Sequence, residues 1–387
     1  MNICRIATVP FFVMNHLRDQ IKHNVKAGHK VFVISSPGDD IEAFCEGLGA
    51  WYHQVDICRN ISPVEDVRAL ISLIRFFRLN RTDIVHSVTP KAGLLSAIAA
   101  RISKIPIRLH TFTGQRWAKL SGPVRLISKA CDRIIVKLST QCYADSHSQV
   151  EYMVKHGICK SGKVRVLGFG SLGGVNLKRF DRKRWRPFNE QIRNEIGIPL
   201  SSKVITFVGR VTKDKGVCEL VDGVIQLSKE LYEIQLILVG PLEPQLDPLP
   251  EETLEKIQKN RNIHMVGYYK EPEKYLSISD LFVIPSYREG FGNVVLEAAA
   301  MEIPAIGTRI PGLVDSIVDN ETGILVPPKD AAAIAAAMHS LLADEDKRIK
   351  MGRAARKRVQ QYFDREYVNE LVLKEYNTLY MHWLQHG

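Results

Sequence analysis

Tyr287-Arg288-Glu289-Gly290-Phe291-Gly292-Asn293-Val294-Val295-Leu296-Glu297 is the stretch that decides how this chain is read. Two glutamates stand eight positions apart, with a glycine-rich turn between them. Upstream, residues 280–286 are an apolar run that ends in Pro-Ser, the pattern of a buried strand entering a polar turn. Downstream, residues 294–301 have a helical composition. The unit is therefore strand, glycine loop, helix. Gly290 and Gly292 carry no side chain, so main-chain N–H groups there can approach a ligand closely. The helix points its positive end at the same place, which suits a diphosphate. Glu289 precedes these amides and Glu297 follows them, so carboxylates are available for hydroxyls at both ends of an extended ligand. A sugar, a diphosphate and a ribose in series have that layout. The competing reading is a solvated turn glutamate followed by an ordinary helix glutamate, and the rest of the chain weighs against it.

The 387 residues suffice for two domains with proper cores. With 45% hydrophobic and 25% charged residues, the composition is that of a globular protein. No run of apolar residues is long enough to span a bilayer. The first nine residues read as a strand and lack the apolar core and cleavage site of a secretory signal. Seven scattered cysteines without a Cys-x-x-Cys pair fit reduced thiols in a cytoplasm. Residues 1–190 hold 30 Lys and Arg against 14 Asp and Glu, and residues 191–387 hold 23 against 28. A basic half suggests an anionic partner: nucleic acid, a membrane surface or a phosphate-bearing acceptor.

Apolar runs alternate with helical patterns throughout. Strands are expected at residues 3–9, 30–35, 51–55, 83–87, 107–111, 141–144 and 164–167. A second series is expected at residues 203–208, 235–239, 263–266, 281–284 and 305–307. The alternation marks an α/β protein with two doubly wound parallel sheets. Residues 176–199, polar and basic with little periodicity, read as a linker. Domains of 1–190 and 191–365 follow, with a terminal helix at 366–387. Ligands of such sheets bind beyond the carboxyl ends of the strands.

The opening stretch resembles the Glu-x7-Glu signature of retaining glycosyltransferases of family 4, which have the GT-B fold. That fold has two Rossmann-like domains facing across a cleft, with the last helix crossing back to the first domain. The resemblance implies that Glu289 contacts the transferred sugar and that Glu297 holds the ribose. Gly209-Arg210-Val211-Thr212-Lys213-Asp214-Lys215-Gly216 resembles the family's Gly-Arg…Lys-Gly motif, which implies that Arg210 and Lys215 clamp the diphosphate. Fixed cations there would stabilise charge on the leaving phosphate. By the same resemblance Gly209, Tyr268, Ser286, Gly290, Phe291, Gly292, Asn293 and Val294 complete the donor side, with Tyr268 near the base. Metal independence is expected, because Arg210, Lys215 and a helix terminus can carry the charge. No cofactor is expected.

The acceptor side matches less well. Phe12 stands in a loop where many relatives have two glycines. Aligned on Gly114, the family histidine falls on Thr113, and His110 lies three residues earlier; the choice between them stays open. Residues 168–180 resemble a family segment near the domain junction, with Gly173 in place of Asn and Asn176 in place of Asp. Their Gly168-x-Gly170-x-x-Gly173 spacing also matches a dinucleotide fingerprint. That reading fails, because no helix or ribose-binding acid follows. Arg125, Lys129, Arg133 and Lys137 recur every four residues. Apolar residues lie beside them and Trp117, Lys119 and Leu120 precede them, a pattern able to lie on an anionic lipid surface. Lys178, Arg179, Arg182, Lys183, Arg184 and Arg186 could extend that face.

The resemblance implies a retaining glycosyltransferase moving a hexose or N-acetylhexosamine from a UDP-linked donor. The implied acceptor is an undecaprenyl-diphosphate-linked saccharide at the inner face of a bacterial plasma membrane. A non-hydrolysing UDP-sugar epimerase of the same architecture is the alternative. A basic nucleic-acid-binding protein ranks below it, since no nucleic-acid motif is evident.

Overall fold

The structure is a computed structural model, and it describes residues 1–229, 233–245 and 247–386. It divides into two units, residues 1–173 with 365–387, and residues 174–364. The first unit contains β1 (Asn2–Ile6), β2 (Lys30–Ser35), β3 (Trp51–Gln54), β4 (Ile84–Val88), β5 (Ile107–Phe112), β6 (Gln141–Ala144) and β7 (Val164–Arg165). They form one parallel sheet in the order β3-β2-β1-β4-β5-β6-β7. The second unit contains β8 (Lys203–Val208), β9 (Ile234–Val239), β10 (Ile263–Gly267), β11 (Leu281–Ile284), β12 (Ala305–Thr308) and β13 (Gly323–Val326). Its order is β10-β9-β8-β11-β12-β13, also parallel. These are two Rossmann-like doubly wound units of the GT-B type.

The strands form because both faces of each sheet are covered, so near-continuous Val, Ile and Leu runs are stable there. Every residue of β9 is buried, as is every residue of β4, β11 and β12. In each sheet the winding reverses once, between β1 and β4 and between β8 and β11. Loops leaving the carboxyl ends of those strands flank the crevice where such folds take ligands.

Three expectations are corrected. The division falls between Gly173 and Gly174, not near residue 190. Residues 176–199 are no linker: Phe180, Ile192 and Ile198 are buried, and a helix spans Asn189–Ile196. Arg182 donates to the carbonyls of Ser277 and Ser279, and Arg179 clasps Glu273 through Nε at 2.7 Å, so these two bases serve the second unit's interior. Strand β13 was missed; it is only four residues long and opens on a glycine. With the division moved, the first unit holds 26 Lys and Arg against 15 Asp and Glu, and the second 27 against 27. The whole net charge of +11 therefore belongs to the first unit.

The terminal helix, Arg365–His386, belongs to the first unit and packs over its sheet. Arg5 of β1 is 1% exposed, and among the described residues no carboxylate pairs with it. Its guanidinium meets His86 Nδ1 at 2.5 Å, Gln20 Oε1 at 2.9 Å and the hydroxyl of Tyr376 from the terminal helix. A buried cation calls for hydrogen bonds, and here neutral groups supply them at Nη1 and Nη2, while the buried Nε finds no acceptor among the described residues.

Four buried titratable groups of this unit oppose one another. Burial pushes the carboxyl of Asp145 up to about 8. Burial also raises Asp132 to about 7, against the bond from Trp117 Nε1 at 2.8 Å. Burial lowers His110 to about 3, and burial with the Arg5 charge holds His86 well below its ordinary range. Below pH 6.5 an unfolded chain protonates its histidines while the folded one does not, which works against the fold, and the two buried carboxyls, protonated only in the folded state, work the other way. Above pH 6.5 the histidines are neutral in both states. The folded carboxyls still hold protons that the unfolded chain has lost, so stability falls as pH rises toward 8. Asp145→Asn, which copies the protonated acid, should flatten that alkaline decline. Thermal unfolding at pH 6.5 and 8.5 checks it, and an unchanged pH dependence in the variant would refute the assignment.

Candidate functional site

Loop 209–216 leaves β8 and loop 285–292 leaves β11, so the two motifs flank the winding reversal of the second sheet. The loops touch through the main chain. Tyr287 N–H donates to the Asp214 carbonyl at 2.9 Å. Gly216 adopts φ +71°, and a Cβ there would stand 2.0 Å from the Pro285 carbonyl oxygen. Only glycine permits this approach, and it sets the distance between Lys215 and the second loop.

Across that junction Lys215 Nζ meets Glu289 Oε1 at 2.5 Å. Ser286 Oγ, in a fully buried residue, donates to the same oxygen at 2.8 Å. Both side chains of the ion pair are less than a fifth exposed, so loss of either partner leaves a partly desolvated charge. Arg210 Nη1 lies 2.8 Å from Glu243 Oε2, and its Nη2 is 3.9 Å from Asp214. Burial lowers the Arg210 guanidinium, but the bond to Glu243 and the charges of Asp214, Glu243 and Glu289 outweigh it and raise it. Arg210, Lys215, Ser286 and Glu289 thus converge at one point of the second unit.

Gly292 caps the helix Asn293–Ala300 in the left-handed conformation, and the helix N-terminus opens beside Glu289. Its first amides are those of Asn293 and Val294. Glu297 lies just over one turn inside the helix, half-buried, within the field of Arg179. The Phe291 side chain is 2% exposed and packs on Phe363, with ring centres 5.3 Å apart, so only its main chain can serve a ligand. Tyr268 is exposed at the end of β10, two strands away from β8. Gly209 continues β8, its N–H bonded to Val239.

In the first unit, His110 points into the core. It is 1% exposed, bonds Ser87 Oγ at 2.9 Å and lies beneath Gly93 of the helix Pro90–Ile102. Neutral and enclosed, it does not line a surface. Thr113 and Gly114 follow β5 at the ligand end of the sheet, partly exposed. Phe12 leans on the core with His16, ring centres 4.7 Å apart. One feature went unread in the sequence. Thr89, after β4, adopts φ +68°, and its hydroxyl accepts the Thr8 N–H at 3.1 Å. A β-branched residue in that conformation is strained. It ties together the two loops at this unit's own winding reversal.

Gly216→Ala should part the two loops, separate Lys215 from Glu289 and weaken binding of the nucleotide-sugar that the resemblance implies by roughly tenfold while both sheets stay folded. Calorimetric titration with circular dichroism checks this. Unchanged affinity would show that the contact does not set the site.

A family described as glycosyl transferases group 1 matches residues 188–358, and a glycosyl transferase 4-like domain matches residues 13–170. The chain is similar to the capsular polysaccharide biosynthesis glycosyltransferase CapM of Staphylococcus aureus, with 31% identity over 94% of this chain and 93% of that protein. It is also similar to UDP-Gal:alpha-D-GlcNAc-diphosphoundecaprenol alpha-1,3-galactosyltransferase of Escherichia coli, with 27% identity over 75% of this chain and 77% of that one. Among solved structures, Anabaena Alr3699/HepE in complex with UDP-glucose superposes with a TM-score of 0.80 at 17% identity, covering 98% and 100% of the two chains. A glycosyltransferase of Rickettsia africae ESF-5 gives 0.80 at 22% identity, over 100% and 99%. With both family matches in chain order on the two units, and a relative aligned over nearly its whole length, the chain belongs to the group 1 glycosyl transferases.

Proposed function

We propose that this glycosyltransferase is a retaining enzyme that moves a hexose or N-acetylhexosamine from a UDP-linked donor to an undecaprenyl-diphosphate-linked saccharide in bacterial surface glycan synthesis. The observation that carries the reading is the meeting of Lys215, Ser286 and Glu289 beside Arg210 at the winding reversal of the second sheet. The name of the Escherichia coli relative supports a UDP donor and a diphosphoundecaprenol acceptor. The Anabaena complex with UDP-glucose supports the nucleotide.

In this reading the diphosphate lies over the amides of the Gly290–Val294 turn and helix start. As the glycosidic bond breaks, Arg210 and Lys215 take up the charge growing on the leaving oxygen, work that a divalent cation does in other enzymes. Ser286 and Lys215 hold Glu289 through Oε1, leaving Oε2 to orient the sugar and face positive charge at its anomeric carbon. Glu297 holds the ribose. The acceptor hydroxyl attacks on the face from which the diphosphate departs, which retains the anomeric configuration. Thr113 and Gly114 of the first unit are assigned to the acceptor side.

The first unit's charge supports contact with an anionic membrane. The helices Pro63–Leu79 and Gly122–Leu138 flank the helix Pro90–Ile102 on one side of its sheet. Val64, Val67 and Ile71 on one, and Leu126, Ile127 and Ile134 on the other, are between 40% (Ile134) and 66% (Leu126) exposed. Arg68, Arg75 and Arg78, with Arg133 and Lys137, stand beside them. Apolar groups at helical spacing flanked by cations suit the interface of a bilayer. Trp117 takes no part: it is fully buried, with Lys129 Nζ over its ring at 5.3 Å. Among the described residues no helix is long and apolar enough to cross a membrane.

Glu289→Ala should lower turnover of a UDP-sugar with a polyprenyl-diphosphate saccharide by on the order of a hundredfold or more with the fold intact, and the parent should keep its rate in excess EDTA. Wild-type turnover in the variant, or loss of the parent's rate to EDTA, would break the mechanism. In flotation, the protein should rise with anionic vesicles, not zwitterionic ones, and Arg133→Glu with Lys137→Glu should weaken that binding. Equal flotation with both lipids would remove the membrane contact.

A further inference from the structure

Two carboxylates after β9 reach the basic loop after β8. The strands pair in parallel up to Val208 and Val239, and the pairing continues beyond their ends. Gly209 N–H donates to Val239 at 2.9 Å, Val211 N–H donates to Pro241 at 2.8 Å, and Val211 bridges Leu242. The next residue is Glu243, so backbone register delivers its carboxylate to Arg210 Nη1 at 2.8 Å. Further along, Asp247 Oδ2 accepts the Asp214 N–H at 2.6 Å. Thr212 Oγ1 donates to Asp214 Oδ1 at 2.7 Å. One strap thus fixes the basic loop in three places, by main chain, by ion pair and by an amide bond.

The cations assigned to the diphosphate are consequently already matched. Arg210 faces Glu243 and Asp214, and Lys215 faces Glu289. A multiply charged nucleoside diphosphate that binds there competes for donors of Arg210, and it then lies near the Glu243 carboxylate. Guanidinium presents several N–H groups in a planar fork, so it can pass from one acceptor to another without losing its place.

We propose that Glu243 is the resting counter-ion of Arg210: it surrenders the guanidinium to the donor's diphosphate, reclaims it afterwards, and so speeds departure of the nucleoside diphosphate product. This rests on the donor reading above. Glu243 acts through Arg210 and is a positioning residue. The Arg210 side chain is 40% exposed and that of Glu243 26%, so solvent screens the repulsion and the effect is modest. Asp247 plays the opposite part, since its bond shapes the loop without touching either cation.

Calorimetric titration with UDP, GDP and ADP tests this on the whole protein. Glu243→Gln keeps an acceptor for Arg210 and removes the charge. It should bind UDP roughly two- to fivefold tighter, with the gain shrinking in high salt and vanishing when Arg210→Ala is added. Asp247→Ala should bind UDP more weakly. General damage to the fold would not tighten binding, so the gain separates this role from a structural one. Unchanged or weaker UDP binding in Glu243→Gln, or a gain that persists without Arg210, overturns the proposal alone. Failure of the parent to bind any of the three nucleotides overturns the donor reading, and the proposal with it.

Discussion

The site in the second unit depends on one constraint: the loops after β8 and β11 must be held together at main-chain distance. Parallel pairing of Leu281 with Ile205 and of Phe282 with Thr206 sets their stems side by side. The bond from Tyr287 N–H to the Asp214 carbonyl and the close approach of Gly216 to Pro285 fix their tips. Residues 74 positions apart in the chain, Lys215 and Glu289, then face each other without any adjustment of their own backbones. Preorganisation of this kind matters for charge stabilisation, because the dipoles and cations need not be gathered when the bond breaks.

Charge is organised differently in the two units. The first carries all of the net positive charge and spreads much of it over exposed helix faces. The second is balanced, and several of its bases are used internally. Arg179 holds Glu273, Arg182 caps carbonyls of residues 277 and 279, and Arg348 reaches the Leu341 carbonyl. Around Arg210 and Lys215 the balance even tips toward carboxylates. The anion binding proposed above would there be a matter of exchanging partners, not of filling a positively charged hollow.

Much of the architecture was legible in the sequence for a physical reason. Strands covered on both faces must be apolar along their whole length, so β8, β9 and β11 stand out as uninterrupted runs. The two glycine-bearing loops after β8 and β11 stood out too, and the structure brings Lys215 of one to Glu289 of the other. What stayed hidden was direction and partnership. Residues 176–199 look like a solvated linker because composition reveals a charge but not the carbonyl that accepts it. Phe291 stands between two site glycines, yet its ring turns to the core. His110 is read from its residue type, but its strand position faces a helix. Glu243 has no motif around it, and its place follows only from the register of two strands beyond their formal ends.

The buried Arg5 has a consequence for how this chain is made. Its acceptors include Tyr376, 371 positions later in the chain, so the opening strand stays incompletely satisfied until the last segment has been synthesised. The second unit is contiguous from residue 174 to 364, so its own elements are complete once that stretch has been made. During translation the order of maturation is therefore reversed relative to the order of synthesis. Residues 174–364 can settle first, while β1 waits for the helix that carries Tyr376.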